Sequence, residues 1–178
     1  MNDLTILNES IGDSYVKWVP YKDGDDILNK FSKEDWHLIA SDVNSEDELS
    51  ELLRSYPHKI QGFVLYEIAT EQPIAFVYIL KESSADDMVS YHGGGWYQSM
   101  HHTILYSRGT IVMVEKLLSK GFKVITYNDI GNKRAFHFMQ GVGFVKYYTS
   151  DTNNYMFIND DLLKNSKMYE YLYKTKSL

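Results

Sequence analysis

His92 closes a short strand-forming run, Met88-Val89-Ser90-Tyr91, and is followed by Gly93, Gly94 and Gly95. An imidazole titrates near neutrality and can take a proton from a reacting group. Three consecutive glycines let backbone amides approach an anion closely, and the same run also suits a β-bulge or a turn. Ser107-Arg108-Gly109 is a second anion-holding candidate, because a guanidinium pairs a phosphate through two hydrogen bonds. Asn132 stands where a polar loop meets a short helical pattern, so its side chain can cap that helix, bond a ligand, or do both. His92, His101 and His102 do not make a metal-binding spacing, and no cysteine is present to complete one, so no metal is expected.

These groups need a scaffold, and the hydropathy pattern supplies one. A first strand is read at Tyr15–Val19, ended by Pro20, with a short helix at Asp25–Phe31. A better helix runs over Ser45–Ser55. Ser45 caps it, Glu48 stands at the capping-box position, and Leu49, Leu52 and Leu53 form its stripe. Gly62–Ile68 and Pro73–Leu80 are rich in aromatic and β-branched residues and flank a polar turn, which predicts a hairpin. Met88–Tyr91 is a third strand. A long helix follows over His101–Lys120, with Ile104, Ile111, Val114 and Leu118 at helical spacing and Gly121 as its stop. Phe122–Tyr127 is the next strand. After a loop comes Asn132–Phe144, a capped helix with Ala135, Phe138 and Val142 on one side and a terminating Gly-Phe. Val145–Thr149 and Tyr155–Ile158 predict a second hairpin, and Asp160–Tyr173 a final helix. Phe122–Tyr127 should lie parallel to the strand ending near Tyr91, because a helical crossover joins them.

The segment from Asn132 to Phe144 resembles the signature of the GNAT acyl-CoA N-acyltransferases. That pattern has Asn, Ala three residues on, an aromatic six on, and Gly-Phe at eleven and twelve; Asn132, Ala135, Phe138, Gly143 and Phe144 match it. The layout is similar over residues 15–158 and the residues themselves over 122–144. The resemblance implies one domain across residues 1–178. It implies an α/β (α+β) fold with a mixed, twisted, splayed sheet flanked by helices on both faces. Acyl-CoA would sit where two parallel strands part, and acetyl or another acyl group would pass to a primary amine. Two departures stand out. The family's pyrophosphate loop, Gln/Arg-x-x-Gly-x-Gly/Ala, is missing, which leaves Gly93–Gly95 or Ser107–Gly109, with Asn132, to hold acetyl-CoA. The family's frequent acid, a Tyr seven residues after the signature Asn, is Met139 here, which has no proton to give. Tyr127 is the substitute, with Tyr106 and Tyr97 as rivals. His92 lies where the family's bases tend to lie, with Glu67 as its rival. The second reading is a catalytically impaired acyl-CoA-binding or interaction module on the same fold.

Composition bounds both readings. A chain of 178 residues, 44% hydrophobic, builds one sizeable core. A net charge of −6 argues against nucleic-acid binding and suits an amine substrate. There are no cysteines, no signal-peptide pattern at the start, and no apolar run long enough for a bilayer, so a cytoplasmic protein with no membrane partner is expected. Whether it acts alone or as a homodimer stays open. His92-Gly93-Gly94-Gly95-Trp96 also resembles the oxyanion segment of lipase-like α/β-hydrolases. Those need a Gly-x-Ser-x-Gly elbow, and none occurs in this chain.

Overall fold

Backbone pairing begins with the hairpin that the sequence marks most strongly. The computed structural model describes residues 4–22, 45–56, 59–82, 87–96 and 103–174. A 3₁₀ turn, Leu4–Leu7, precedes β1 (Ile11–Gly12) and β2 (Val16–Pro20). Helix α1 spans Glu46–Ser55, and Ser45 Oγ accepts the Glu48 amide at 3.2 Å as its cap. Strands β3 (Ile60–Glu67) and β4 (Pro73–Lys81) pair antiparallel, and Glu71 takes a positive φ of 54° in the turn between them. Then come β5 (Met88–Trp96), α2 (Thr103–Ser119), β6 (Lys123–Asp129), α3 (Lys133–Val142), β7 (Val145–Thr149) and β8 (Asn153–Ile158). The proposed helix at Asp25–Phe31 lies outside the described residues, as do His101, His102 and Tyr97.

The sheet order is β1-β2-β3-β4-β5-β6-β8-β7. Every neighbouring pair is antiparallel except β5 and β6, which run parallel across the α2 crossover as expected. The sheet is therefore mixed, and its helices complete an α/β domain of the predicted class. One face carries Phe63, Leu65, Ala75, Val77, Ile79, Val89, Tyr91, Val124 and Met156, all buried in one core with α2. Gly109 brings α2 close to this face. A Cβ there would stand 2.7 Å from Leu65 Cδ2, and its carbonyl accepts Trp18 Nε1–H at 2.7 Å.

Several elements differ from the sequence reading. β5 continues through the glycine run to Trp96, because β4 pairs with it as far as Ala75. The run is thus a strand rather than a connecting loop. Ile104, placed in the core stripe of α2, is 56% exposed, while Ile111 and Val114 are fully buried. The final helix is not continuous. α4 (Asp160–Lys164) stops at Asn165. Ser166 then takes extended backbone, and its Oγ accepts the Tyr169 amide at 3.1 Å, which starts α5 (Lys167–Tyr169) and a π-turn over Glu170–Lys174. The signature helix α3 matches its expectation: Asn132 Oδ1 accepts the Ala135 amide at 3.1 Å, and Gly143 ends it at φ 116°. A side chain at Gly143 would also meet Leu162 O at 2.6 Å, so glycine is required twice over.

Candidate functional site

The parallel pair β5–β6 is short. Its partners are Met88 with Lys123, Val89 with Val124 and Ser90 with Ile125. Beyond these, β5 stays with β4 and β6 stays with β8, so the sheet forks. Two local features accompany the parting. Val77 pairs with Gly93 and Phe76 with Gly95, so Gly94 is the extra residue of a bulge, which bends and twists its strand. Thr126 Oγ1 donates to Tyr91 O at 2.9 Å, so a side chain occupies the carbonyl at the first step past the last pair. The bulge reading of the glycine run therefore holds for Gly94.

His92 and Tyr127 are each two residues past that last pair, so both side chains return to the face of Ser90 and Ile125. Their ring centroids are 4.4 Å apart at 73°. Tyr78, opposite His92 on β4, stacks on the imidazole at 5.0 Å and 13°. His92 is 8% exposed, and burial pushes its pKa down to about 4, so the ring is neutral near pH 7. Its Nε2 lies 2.6 Å from Ser90 Oγ. Tyr78 and Tyr127 line a cavity of about 670 Å³ on this face, together with Glu48, Glu51, Leu52, Ser55 and Tyr56 from α1 and its cap, and Lys59, Ile60 and Leu80. Two carboxylates one helical turn apart, facing aromatic rings, make surroundings suited to an organic cation.

The opposite face of the fork holds a buried hydroxyl cluster. Tyr91 Oη lies 3.1 Å from Thr110 Oγ1 and 3.4 Å from Tyr106 Oη. Burial raises the Tyr106 phenol to about 12 and the Tyr91 phenol well above its usual range. Tyr106 also stacks on Phe138 at 5.1 Å. It therefore sits across the sheet from His92, apart from the cavity. Asn128, on β6 just beyond Tyr127, keeps a buried Oδ1 with no hydrogen-bond partner among the described residues, while its Nδ2 donates to Met156 Sδ at 3.8 Å. A buried acceptor without a donor is costly, which sets this atom apart from its neighbours on β6.

The other expected residues are dispersed. Glu67 closes the β3–β4 turn, accepting from Thr70 Oγ1 at 2.6 Å, five residues along β3 from Gly62. Gly62 is the residue level with Tyr78 and His92. Arg108 is turned toward β1 and β2. Its Nε donates to Asp13 Oδ2, and its guanidinium lies 4.1 Å from the Tyr15 ring centre and 5.0 Å from that of Tyr173. Ser107 is 6% exposed, Gly109 is packed against Leu65, and Arg108 ties α2 to β1 and β2. Met139 is 6% exposed in the core. Asn132 caps α3 with an exposed side chain. Sequence reasoning missed Ser90, Tyr78 and Asn128. The alternation Ser90-x-His92 on one strand was a legible signal for the first. The others depend on strand register.

Comparison with solved structures follows the same lines. A probable GNAT acetyltransferase from Chromobacterium violaceum superposes with a TM-score of 0.71 at 12% identity, over 86% of this chain and 87% of that one. Spermidine N-acetyltransferase from Vibrio cholerae, in complex with CoA and spermine, gives 0.67 at 16%, over 86% and 100%. A GCN5-related N-acetyltransferase from Brucella melitensis gives 0.71 at 10%, over 90% and 82%. No protein-family model matches the sequence, and no curated protein matches it. The chain has the GNAT acetyltransferase fold. Among the described residues no helix is long and apolar enough to cross a membrane.

Proposed function

We propose that this protein transfers an acetyl group from acetyl-CoA to a primary amine. The observation that carries the reading is the fork between β5 and β6, with His92 and Tyr127 as ring neighbours just past its last pair. The acyl-CoA thioester would enter the fork, where β5 turns away at Gly94. The amine would be drawn as a cation to the cavity beside Glu48 and Glu51 and would lose one proton to solvent before it reacts as the free amine. His92, neutral at rest, takes a proton from the amine as its nitrogen attacks the thioester carbon. The carbon–sulfur bond breaks, and Tyr127 gives its phenolic proton to the departing sulfur. The fold neighbour with CoA and spermine supports a small amine as acceptor.

A second reading keeps the fold without the reaction. Met139 stands where similar enzymes often carry their acid and is sealed in the core, which favours an acyl-CoA-binding module. Acetyl-CoA should raise the melting temperature under either reading. Release of free thiol from acetyl-CoA on a panel of polyamines, amino sugars and peptide amines separates them. Stabilisation without thiol release on any amine selects the binder, and no stabilisation at all removes both.

A further inference from the structure

The face of the sheet that carries His92 also carries a hydrogen-bonded chain that ends on a carboxylate. Glu82 follows β4 directly, and its amide donates to Met88 O at 3.0 Å, which fixes it beside the start of β5. Ser90 Oγ–H donates to Glu82 Oε1 at 2.6 Å; the alternative acceptor, Leu80 O, is 3.5 Å away. His92 Nε2 lies 2.6 Å from that same Ser90 oxygen. A carboxylate only accepts, and a serine has one proton. With that proton given to Glu82, Ser90 has only lone pairs for His92, so Nε2 carries a hydrogen and donates it. Nδ1 is then the basic nitrogen.

We propose that Glu82 and Ser90 are positioning residues that hold His92 in the Nε2–H tautomer and present Nδ1 as the proton acceptor. The catalytic consequence rests on the acyl-transfer reading; the chain itself does not. As Nδ1 takes the amine proton, the imidazolium that forms is stabilised through Ser90 by the Glu82 charge, which offsets part of what burial takes from the ring's basicity. Among the described residues, the following groups face this chain. Tyr78 and Tyr127 pack against the imidazole, Tyr147 of β7 lies near enough to Glu82 to feel its charge, and Glu48, Glu51 and Lys59 line the cavity that Tyr78 and Tyr127 share.

The test uses the full chain labelled with ¹⁵N, with ring-nitrogen spectra at pH 7 and kinetics on the same samples. In the wild type, His92 Nε2 should carry a slowly exchanging proton and Nδ1 none. Ser90→Ala should speed that exchange at least tenfold while the fold persists, and Ser90→Thr should restore protection. Glu82→Gln keeps the shape and removes the charge. It should move the His92 titration to lower pH and lower kcat by roughly tenfold to a hundredfold, the worth of a hydrogen bond to a charged group, with KM for acetyl-CoA unchanged. Glu82→Asp should recover part of that loss. A proton on Nδ1 in the wild type, unchanged exchange in Ser90→Ala, or wild-type kcat in folded Glu82→Gln overturns the proposal. Absence of turnover on every amine would strike the acyl-transfer reading alone, since the tautomer and exchange measurements still decide the chain.

Discussion

The ring of Tyr127 meets the His92 imidazole at 4.4 Å between centroids, although the strands that carry them pair only as far as Ser90 and Ile125. The contact therefore spans the mouth of the fork. In the proposed reaction, an acceptor and a donor placed this closely would serve the two ends of one acyl transfer without either residue moving along its strand.

Tyr127→Phe tests the donor half. The ring still packs against His92 and Tyr155, and only the hydroxyl is lost. General acid catalysis is typically worth roughly 10²–10⁴-fold, so kcat should fall within that range while KM for acetyl-CoA changes little. Stopped-flow thiol release with saturating amine measures it. Full turnover in the Phe variant across pH would assign protonation of the thiolate to water or another tyrosine.

The pH dependence of stability follows from His92. Its pKa lies below the usual 6.5, at about 4, because the folded protein buries it. Between these two values the unfolded chain binds the proton and the folded chain does not, so stability rises with pH through this window. Acidification from pH 7 should remove stability progressively, up to about 3 kcal/mol by pH 4, taking 1.4 kcal/mol per pK unit. His92→Phe removes the titrating group. Urea melts at pH 7, 5.5 and 4 should show a steeper loss in the wild type than in the variant. Equal slopes would mean that other groups dominate acid unfolding.

How much of this was readable in the chain depends on how local each feature is. The two hairpins and the capped helix α3 were legible, because a turn or a cap and its flanking pattern are contiguous. The course of β5 past His92 was not. Glycines have weak strand preference, and β4 imposes extension on them from outside. The break at Asn165–Ser166 was hidden because no Pro or Gly marks it, while the serine cap decides locally. Of the candidate site, His92 and Tyr127 were legible as residue types and are brought together by the topology. The stacking of Tyr78 on His92 and the reach of Glu82 to Ser90 depend on the β4–β5 register. The partnership of Arg108 with Asp13 spans 95 residues and has no local signature.

That partnership carries its own prediction. Arg108 pairs with Asp13 and lies over Tyr15 and Tyr173, largely out of water. Removing one member leaves the other charge poorly matched, so Asp13→Asn and Arg108→Met should each lower stability by roughly 1–3 kcal/mol. A double-mutant cycle should show coupling of about 0.5 kcal/mol or more. Acetyl-CoA affinity, read by calorimetry, should stay near wild type in Arg108→Met. A fall of tenfold or more would return this guanidinium to the phosphate role that its position in the sequence suggested.

Met139→Tyr restores the residue type that similar enzymes often carry at this place, and its outcome separates sequence position from surroundings. Met139 is 6% exposed, belongs to the main core, and sits in the last two turns of α3 beside Val142 and Phe144. Its carbonyl accepts the Gly143 and Phe144 amides at 3.2 and 3.0 Å, so the backbone there is fixed by the helix cap. A tyrosine is larger and stiffer than methionine, and overpacking a filled core typically costs roughly 1–3 kcal/mol. Its hydroxyl would add a further penalty unless it found a partner or reached the fork. The expected result is therefore a lowered melting temperature and no recovery of turnover in the Tyr127→Phe background. If Met139→Tyr instead restores tenfold or more of the lost kcat at unchanged stability, position 139 has access to the departing sulfur, and α3 rather than β6 is the natural origin of the acid in this fold.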